Sequence, residues 1–297
     1  MKIRVHADDL GLSRGVNDSI LDCADNGVLD GVSLLANGDA FDHAVDALAA
    51  RPDLRVHAHL NLCEGGPVLP PGDVDLLVND AGHFRHSFTS LWRAYISAGG
   101  AERRALRDQV AAEWMAQAQK VAAALDGRPV GIDSHRHYHA IPFLFDIALD
   151  VAEAVRADHV RIPQGPGPLA IHGGAMPLAF PPLNLVKLLL LNVLCRSARR
   201  KLAARGLASS DHFIGVLHGG AMKRSVVGAS LAAVHRRAAG VGDATVEVLF
   251  HPGSVAEDEG APWPDAGPIA EFYCSSDRRR EADELKHPEM AEILTTY

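Results

Sequence analysis

The chain has 297 residues, 47% of them hydrophobic and 22% charged, a size and balance that fit one large folded domain whose core needs no covalent staples. Its formal net charge of −8 excludes a global basic field for nucleic acid, and four scattered cysteines (Cys23, Cys63, Cys195, Cys274) with no Cys-x-x-Cys pair exclude a disulfide scaffold and read as reduced thiols in the cytoplasm. Sixteen histidines, several clustered, favour metal or proton chemistry over a pure interaction module.

The N-terminus shows no apolar signal-peptide run. Met1-Lys2 leads into Ile3-Arg4-Val5, and Asp8-Asp9 falls where such a run would lie. Residues 2–7 read as the first strand, ending in His6-Ala7-Asp8-Asp9-Leu10-Gly11. Two adjacent carboxylates are costly unless positive charge lies near them. A divalent cation would supply it, with one Asp as ligand and the other as base; a turn whose Asp caps the next helix is the alternative. Alternation puts Asp8 and Asp9 on opposite faces of a strand, so the chain must leave regular β geometry here if both serve one site.

A helix-like stretch at 15–26, a strand at 31–36 and a helix at 40–50 follow, then a strand at 55–62. Alternation places His57, His59 and Asn61 on one face of that strand and Val56, Ala58, Leu60 and Leu62 on the other. Residues 63–90 are rich in Gly and Pro, carry His83 and His86, and read as a long loop over a barrel mouth. After a helix at 101–125, the strand at 129–135 runs from Val130-Gly131-Ile132 into Asp133-Ser134-His135-Arg136-His137-Tyr138-His139. Asp133, His135, His137 and His139 share one parity, and such a cluster at the end of a buried strand needs partners that a metal and its supporting shell would provide.

A helix at 142–157, a strand at 159–163 and a second long loop at 163–182 with six prolines come next. The helix at 184–205 contains the longest apolar run, Leu183 to Cys195, shorter than the roughly 20 residues a bilayer span needs. Leu188 to Leu191 is apolar all round, which predicts burial in the core or in a homodimer interface. An interfacial helix is the alternative, its basic end (Arg196, Arg199, Arg200, Lys201, Arg205) meeting anionic headgroups. A strand at 211–217, a helix at 227–239 and a strand at 244–251 complete the pattern, the last delivering His251 ahead of Pro252-Gly253 as a candidate proton donor. The segment after Pro252 reads as a polar tail.

The alternation of strands and helices predicts an α/β fold: a single barrel-like (β/α) domain over 1–297, a distorted TIM-type barrel of about seven parallel strands with its site at their carboxyl ends. No Gly-x-Ser-x-Gly elbow, no P-loop, no Rossmann glycine motif after the first strand and no His-Glu-x-x-His appear, which disfavours the chemistries they serve.

Ala7-Asp8-Asp9-Leu10-Gly11 resembles the Ala-Asp-Asp-Phe-Gly opening of the YdjC-like carbohydrate deacetylases, which include chitooligosaccharide deacetylases and relatives linked to hopanoid synthesis. His59-Leu60-Asn61-Leu62 is similar to that family's His-Leu-Thr-Leu, and residues 133–139 to its Asp-Ser-His-His-His-x-His. Arg161-Ile162-Pro163 and Phe250-His251-Pro252-Gly253 match in kind and order. The resemblance implies one divalent ion, Mg²⁺ or Zn²⁺, held by Asp9, His59 and His135, with His137 in reserve, Asp8 as base and His251 as acid. It implies removal of an N-acetyl group from an amino sugar, oligosaccharide or glycolipid. A lipid-linked substrate would bring peripheral contact with the inner membrane face. Arg161 is a candidate for orienting substrate or for a structural salt bridge, and Asn61 and His137 are candidates for the pocket wall. The departures Leu10 and Asn61 touch substrate identity more than chemistry, and Arg136 cannot ligate a metal. The competing expectations are another barrel metallohydrolase, a phosphoesterase or amidohydrolase with more ligands and a second ion, and a binding protein on a degenerate barrel.

Overall fold

In the computed structural model, which describes residues 1–172, 180–238, 243–254, 263 and 268–297, six strands form one parallel sheet. They are β1 (Lys2–Leu10), β2 (Gly31–Leu34), β3 (Arg55–Leu60), β4 (Val130–Ser134), β5 (His212–Ile214) and β6 (Thr245–Phe250), in the order β4-β3-β2-β1-β6-β5. Helices α1 (Arg14–Asn26), α2 (Phe41–Ala49), α3 (Phe88–Ser97), α4 (Gly100–Ala124), α5 (Pro142–Ala154), α6 (Pro168–His172), α7 (Pro182–Ala204) and α8 (Arg224–Ala238) lie between the strands in sequence, and α9 (Pro268–Tyr273), α10 (Ser276–Lys286) and α11 (Pro288–Thr295) follow β6. The helix starts are written locally. Ser13 accepts from the Val16 amide at 3.3 Å, and α5, α7 and α11 open on prolines whose fixed φ suits a first turn.

Of the seven expected strands the fifth, 159–163, is not one: Val160 makes a single parallel bridge to Ile132. The segment still fills the gap between the sheet's two edges. Arg161 N donates to Ile132 O on one side, and Gln164 O accepts from Phe213 N on the other. Val160 N turns instead to Ala208 O, and Pro163 has no N–H to continue a ladder. The result is a six-stranded half barrel rather than a closed seven-stranded one.

Both faces of the sheet are buried, but they differ in chemistry. Val5, Ala7, Val32, Val56, Ala58, Val130, Ile132, Val246 and Val248 belong to the apolar core. The alternate positions carry His6, Asp8, Ser33, His57, His59, Asp133 and Glu247, all buried. A barrel interior is ordinarily filled by branched aliphatic layers; here an ionised, hydrogen-bonded network fills it.

Helix α7 is not wholly buried, and the run Leu188 to Leu191 is divided between the two faces. Leu188, Leu191, Cys195, Ala198 and Leu202 are buried, whereas Leu183, Val186, Leu189 and Val193 are exposed. The expected polar tail contains α10, which buries Arg278, Glu281, Ala282 and Leu285. Pro177 of the proline-rich loop, residue 239 of the expected helix at 227–239, and residues 255–262 and 264–267 of the expected tail lie outside the described residues.

Candidate active site

The aspartate pair sits where β1 breaks regular geometry. Asp9 takes φ 74°, Gly11 takes φ 93°, and the β1–β2 register shifts between Ala7 and Leu10. An aspartate in the left-handed region costs on the order of 1 kcal/mol. The break brings both carboxylates to one place: His59 Nε2 lies 3.8 Å from Asp8 Oδ2 and 3.7 Å from Asp9 Oδ1.

Sheet register positions His59. It pairs with Asp133 across β3 and β4, and its Nδ1 donates to Asp133 Oδ1 at 2.6 Å. That bond puts the proton on Nδ1 and leaves the Nε2 lone pair facing Asp9. Asp133 Oδ2 is engaged by Ser33 Oγ (2.5 Å), His57 Nδ1 (3.0 Å) and Arg161 Nη2 (2.9 Å).

After Ser134 the strand ends in a 3-10 turn, with Arg136 at φ 54° and His137 at φ 62°. The shared parity expected for Asp133, His135, His137 and His139 therefore does not hold. Asp133 lies beneath His59. His135 Nδ1 reaches to 3.1 Å from Asp9 Oδ1 and 3.3 Å from His59 Nε2. His137 lines the cavity, and His139 braces the turn between Ser134 Oγ (2.6 Å) and Arg161 O (2.9 Å). The far nitrogen of His135 contacts Glu64 Oε2 (2.8 Å) and Tyr273 Oη (3.0 Å), which also hydrogen-bond to each other.

Asp9 Oδ1, His59 Nε2 and His135 Nδ1 form a compact triangle that fits a cation. Bonds of about 2.1 Å in a tetrahedral shell place ligand atoms ~3.4 Å apart. The buried Asp9 Oδ1 has no hydrogen-bond partner among the described residues. Charge argues the same way. Asp8, Asp9, Asp133 and Glu247 are buried together with the guanidiniums of Arg161 and Arg278, while Glu64 has Arg136 at 3.1 Å. Burial disfavours a charged His135, yet Glu64 and Asp9 outweigh it and raise its pKa to about 9. Burial also works against ionised Asp9, but Arg278 Nη1, 2.9 Å from Oδ2, and His135 hold its carboxyl well below the usual range. Asp8 is raised from its ordinary value by burial, despite Arg161 Nη1 at 2.9 and 3.0 Å from its two oxygens.

These groups open into a cavity of about 290 Å³ whose wall includes Asp8, Asp9, His135, His137, Lys187 and His251. Burial drives the His251 pKa down to about 3, and its backbone N donates to Glu281 Oε2 at 2.5 Å. Arg161 and Asn61 are not in that wall. Arg161 is buried, with Nε on Glu247 (2.7 Å) and its other donors on Asp8, Asp133 and Ser33. Asn61 braces the loop after β3 by donating to Glu64 O at 2.7 Å and accepting from Cys63 N at 3.0 Å.

Four further residues belong to the site. Glu64 and Tyr273 back His135, and Arg278 backs Asp9. Lys187, on α7, faces the cavity with no hydrogen bond or ion pair among the described residues, and burial lowers its pKa to about 8. Arg278 had a sequence signal: residues 278, 281, 282 and 285 follow the i, i+3, i+4, i+7 rhythm of a buried helix face.

Comparison with known proteins gives a consistent family. The profile described as YdjC-like protein matches residues 2–296. A carbohydrate deacetylase of Halalkalibacterium halodurans is 35% identical over 169 residues, covering 56% of this chain and 67% of that protein. One of Brevibacillus brevis is 39% identical over 164 residues (55% and 60%), and a chitooligosaccharide deacetylase of Escherichia fergusonii is 32% identical over 148 residues (50% and 54%). The matches thus span between about half and two thirds of those relatives. A crystal structure from Enterococcus faecalis, described as a proposed cellobiose-phosphate cleavage protein, superposes with a TM-score of 0.66 at 20% identity, over 99% of this chain and 94% of that one, and shares the fold.

Proposed function

The chain belongs to the YdjC-like protein family, and on that premise we propose that it is a cation-dependent hydrolase that removes the acetyl group from the nitrogen of an amino sugar. The observation that carries the proposal is the triangle of Asp9, His59 and His135, with an unpartnered carboxylate oxygen, beside Asp8 on the wall of one cavity. The names of the relatives supply the substrate class. The cavity is at the small end of ligand pockets, roughly 300–1,000 Å³, which suits a single sugar unit.

Asp9, His59 and His135 would hold one divalent ion, Mg²⁺ or Zn²⁺. When bound it polarises the acetyl carbonyl and makes an adjacent water more acidic. Asp8, held by Arg161 and pushed toward protonation by burial, takes the proton as water attacks the acetyl carbon. Burial holds His251 neutral at rest, with a pKa of about 3, so as the C–N bond breaks it passes to the departing amine the proton that Asp8 took from water, and both side chains end as they began. Acetate and the free amino sugar result. Arg161 acts beneath the carboxylates rather than on substrate, and its bonds to Asp8, Asp133 and Glu247 bring the positive charge that a second ion would otherwise supply. That favours one cation over the two-ion chemistry of a phosphoesterase.

Mass spectrometry after incubation with a panel of acetylated amino sugars, free and lipid-carried, tests the proposal. The expected result is a loss of about 42 dalton, one acetyl replaced by hydrogen, abolished in His59→Ala together with cation binding. Release of phosphate from phosphate esters with no such loss would refute it.

A further inference from the structure

We propose that the outward face of α7 is a docking surface for an anionic lipid bilayer. Six large apolar side chains are exposed among the described residues, and four of them lie on this helix: Leu183 (75% exposed), Val186 (61%), Leu189 (55%) and Val193 (60%). At about 100° per residue, Val186, Leu189, Val193, Arg196 and Arg200 fall within an arc of about 80°. The opposite face, carrying Leu188, Leu191, Cys195 and Leu202, is packed into the core. The helix therefore presents one outward stripe, aliphatic in its first half and cationic in its second.

The cations divide in the same way. Lys201 pairs with Asp146 at 2.6 Å, Arg205 pairs with Asp150 and Glu153 at 2.8 Å each, and Arg199 donates to Gln164, Ser210 and Asp211. Arg196 and Arg200 are exposed and make no ion pair among the described residues. In a chain of net charge −8, two unspent cations continuing an exposed aliphatic stripe match an acyl boundary edged by anionic headgroups. The composition disfavours a protein partner, because the centres of protein interfaces are enriched in aromatic residues and this stripe has none. No described helix is long and apolar enough to cross a membrane, so the contact lies on the surface of the bilayer.

The stripe also leads to the cavity. Leu183 lies on the cavity wall with Asn184 and Lys187 from the same helix. A bilayer seated on α7 lies beside the cavity mouth, where a sugar anchored in lipid enters without leaving its membrane. Only this last benefit rests on the deacetylase reading; docking itself does not.

Flotation of the full chain with phosphatidylcholine vesicles, with and without phosphatidylglycerol, tests the surface. The wild type floats with the anionic vesicles and not with the neutral ones, and salt weakens it. Arg196→Glu with Arg200→Glu weakens binding on the order of tenfold or more. Val186→Glu with Leu189→Glu abolishes it, while the thermal midpoint stays that of wild type because both positions are exposed. A wild type that remains unbound at low salt overturns the proposal. So does binding that both double variants retain, and so does a dimer, seen by light scattering, that the Val186→Glu, Leu189→Glu pair converts to monomer without any vesicle binding. Loss of flotation alongside unchanged turnover of a soluble acetylated sugar separates this proposal from the proposed activity.

Discussion

Asp133→Asn removes one charge without changing shape, and the donors around it decide how the site responds. Asp133 Oδ1 accepts from His59, and Oδ2 is met by Ser33, His57 and Arg161. The asparagine amide nitrogen cannot face Arg161, which has only donors. The retained oxygen therefore stays with Arg161, and the new N–H₂ turns to His59 Nδ1. His59 must then accept there and carry its proton on Nε2, pointing at Asp9 Oδ1 where a cation would bind. Losing such an orienting partner typically costs about 10–100-fold in metal affinity. Stability falls by less than the ~3–5 kcal/mol of stripping a buried ion of its partner, because Arg161 keeps Asp8 and Glu247; about 1.5–3 kcal/mol, the worth of a hydrogen bond to a charged group, is expected. Calorimetric titration of dialysed protein with Zn²⁺ or Mg²⁺, beside urea unfolding, reads both quantities. A folded variant with wild-type cation affinity would show that Asp133 does not set the His59 tautomer.

Arg278→Met leaves buried Asp9 without its guanidinium, so the cation-free protein loses roughly 3 kcal/mol; added cation should raise its thermal midpoint by more than it raises that of wild type, and an equal or smaller rise counts against charge sharing at Asp9. Lys187→Met should lower kcat/KM on an acetylated sugar about 10–100-fold, the range for losing a charged hydrogen bond, with cation affinity intact; unchanged kinetics would remove Lys187 from the substrate contacts. Glu281 gives a pH test. Burial raises its pKa from 4.5 to about 7, against the His251, Met222 and Gly220 backbone donors and Arg278, which favour the carboxylate. The folded state thus holds this proton more tightly than the unfolded one. Its contribution, about 3 kcal/mol, is fully present below about pH 4.5 and lost as pH rises through about 7. Glu281→Gln should flatten the stability profile in that window, and an unaltered slope would exclude Glu281 as its source.

Strand ends were legible in the sequence because hydrophobic runs there stop at polar clusters: Asp8-Asp9, His59 and His135 were all found this way, and the structure brings them together. Side-chain direction was less legible. Parity holds for His57 and His59 on β3 but fails after Ser134, where two residues with positive φ turn the chain. The need for Asp9 to leave β geometry followed from alternation alone, although its φ did not. Residues 159–163 have a strand's composition, yet Pro163 and the turn of Val160 toward Ala208 limit them to one bridge. Arg161 ends an apolar segment as a ligand-facing residue would, and only the packing of that segment against both sheet edges shows it surrounded by three carboxylates. Lys187 and Tyr273 come from helices distant in sequence from the strand ends, where local pattern carries no signal, and Glu64, four residues past β3, lies in an irregular loop where alternation no longer predicts direction.

The pairing of His59 with Asp133 couples the site to how the chain folds. A slip of two residues between β3 and β4 would keep every aliphatic side chain on the helix face, so the hydrophobic effect discriminates weakly between the two registers. In the slipped sheet His57 would stand opposite Asp133 and His59 would project past the strand's end, away from Asp9 and His135. A ligand that binds only the correct register lowers the free energy of that register alone. The cation would then select the pairing as well as serve the chemistry, and refolding under chelator would lower the yield of native protein until cation is added back.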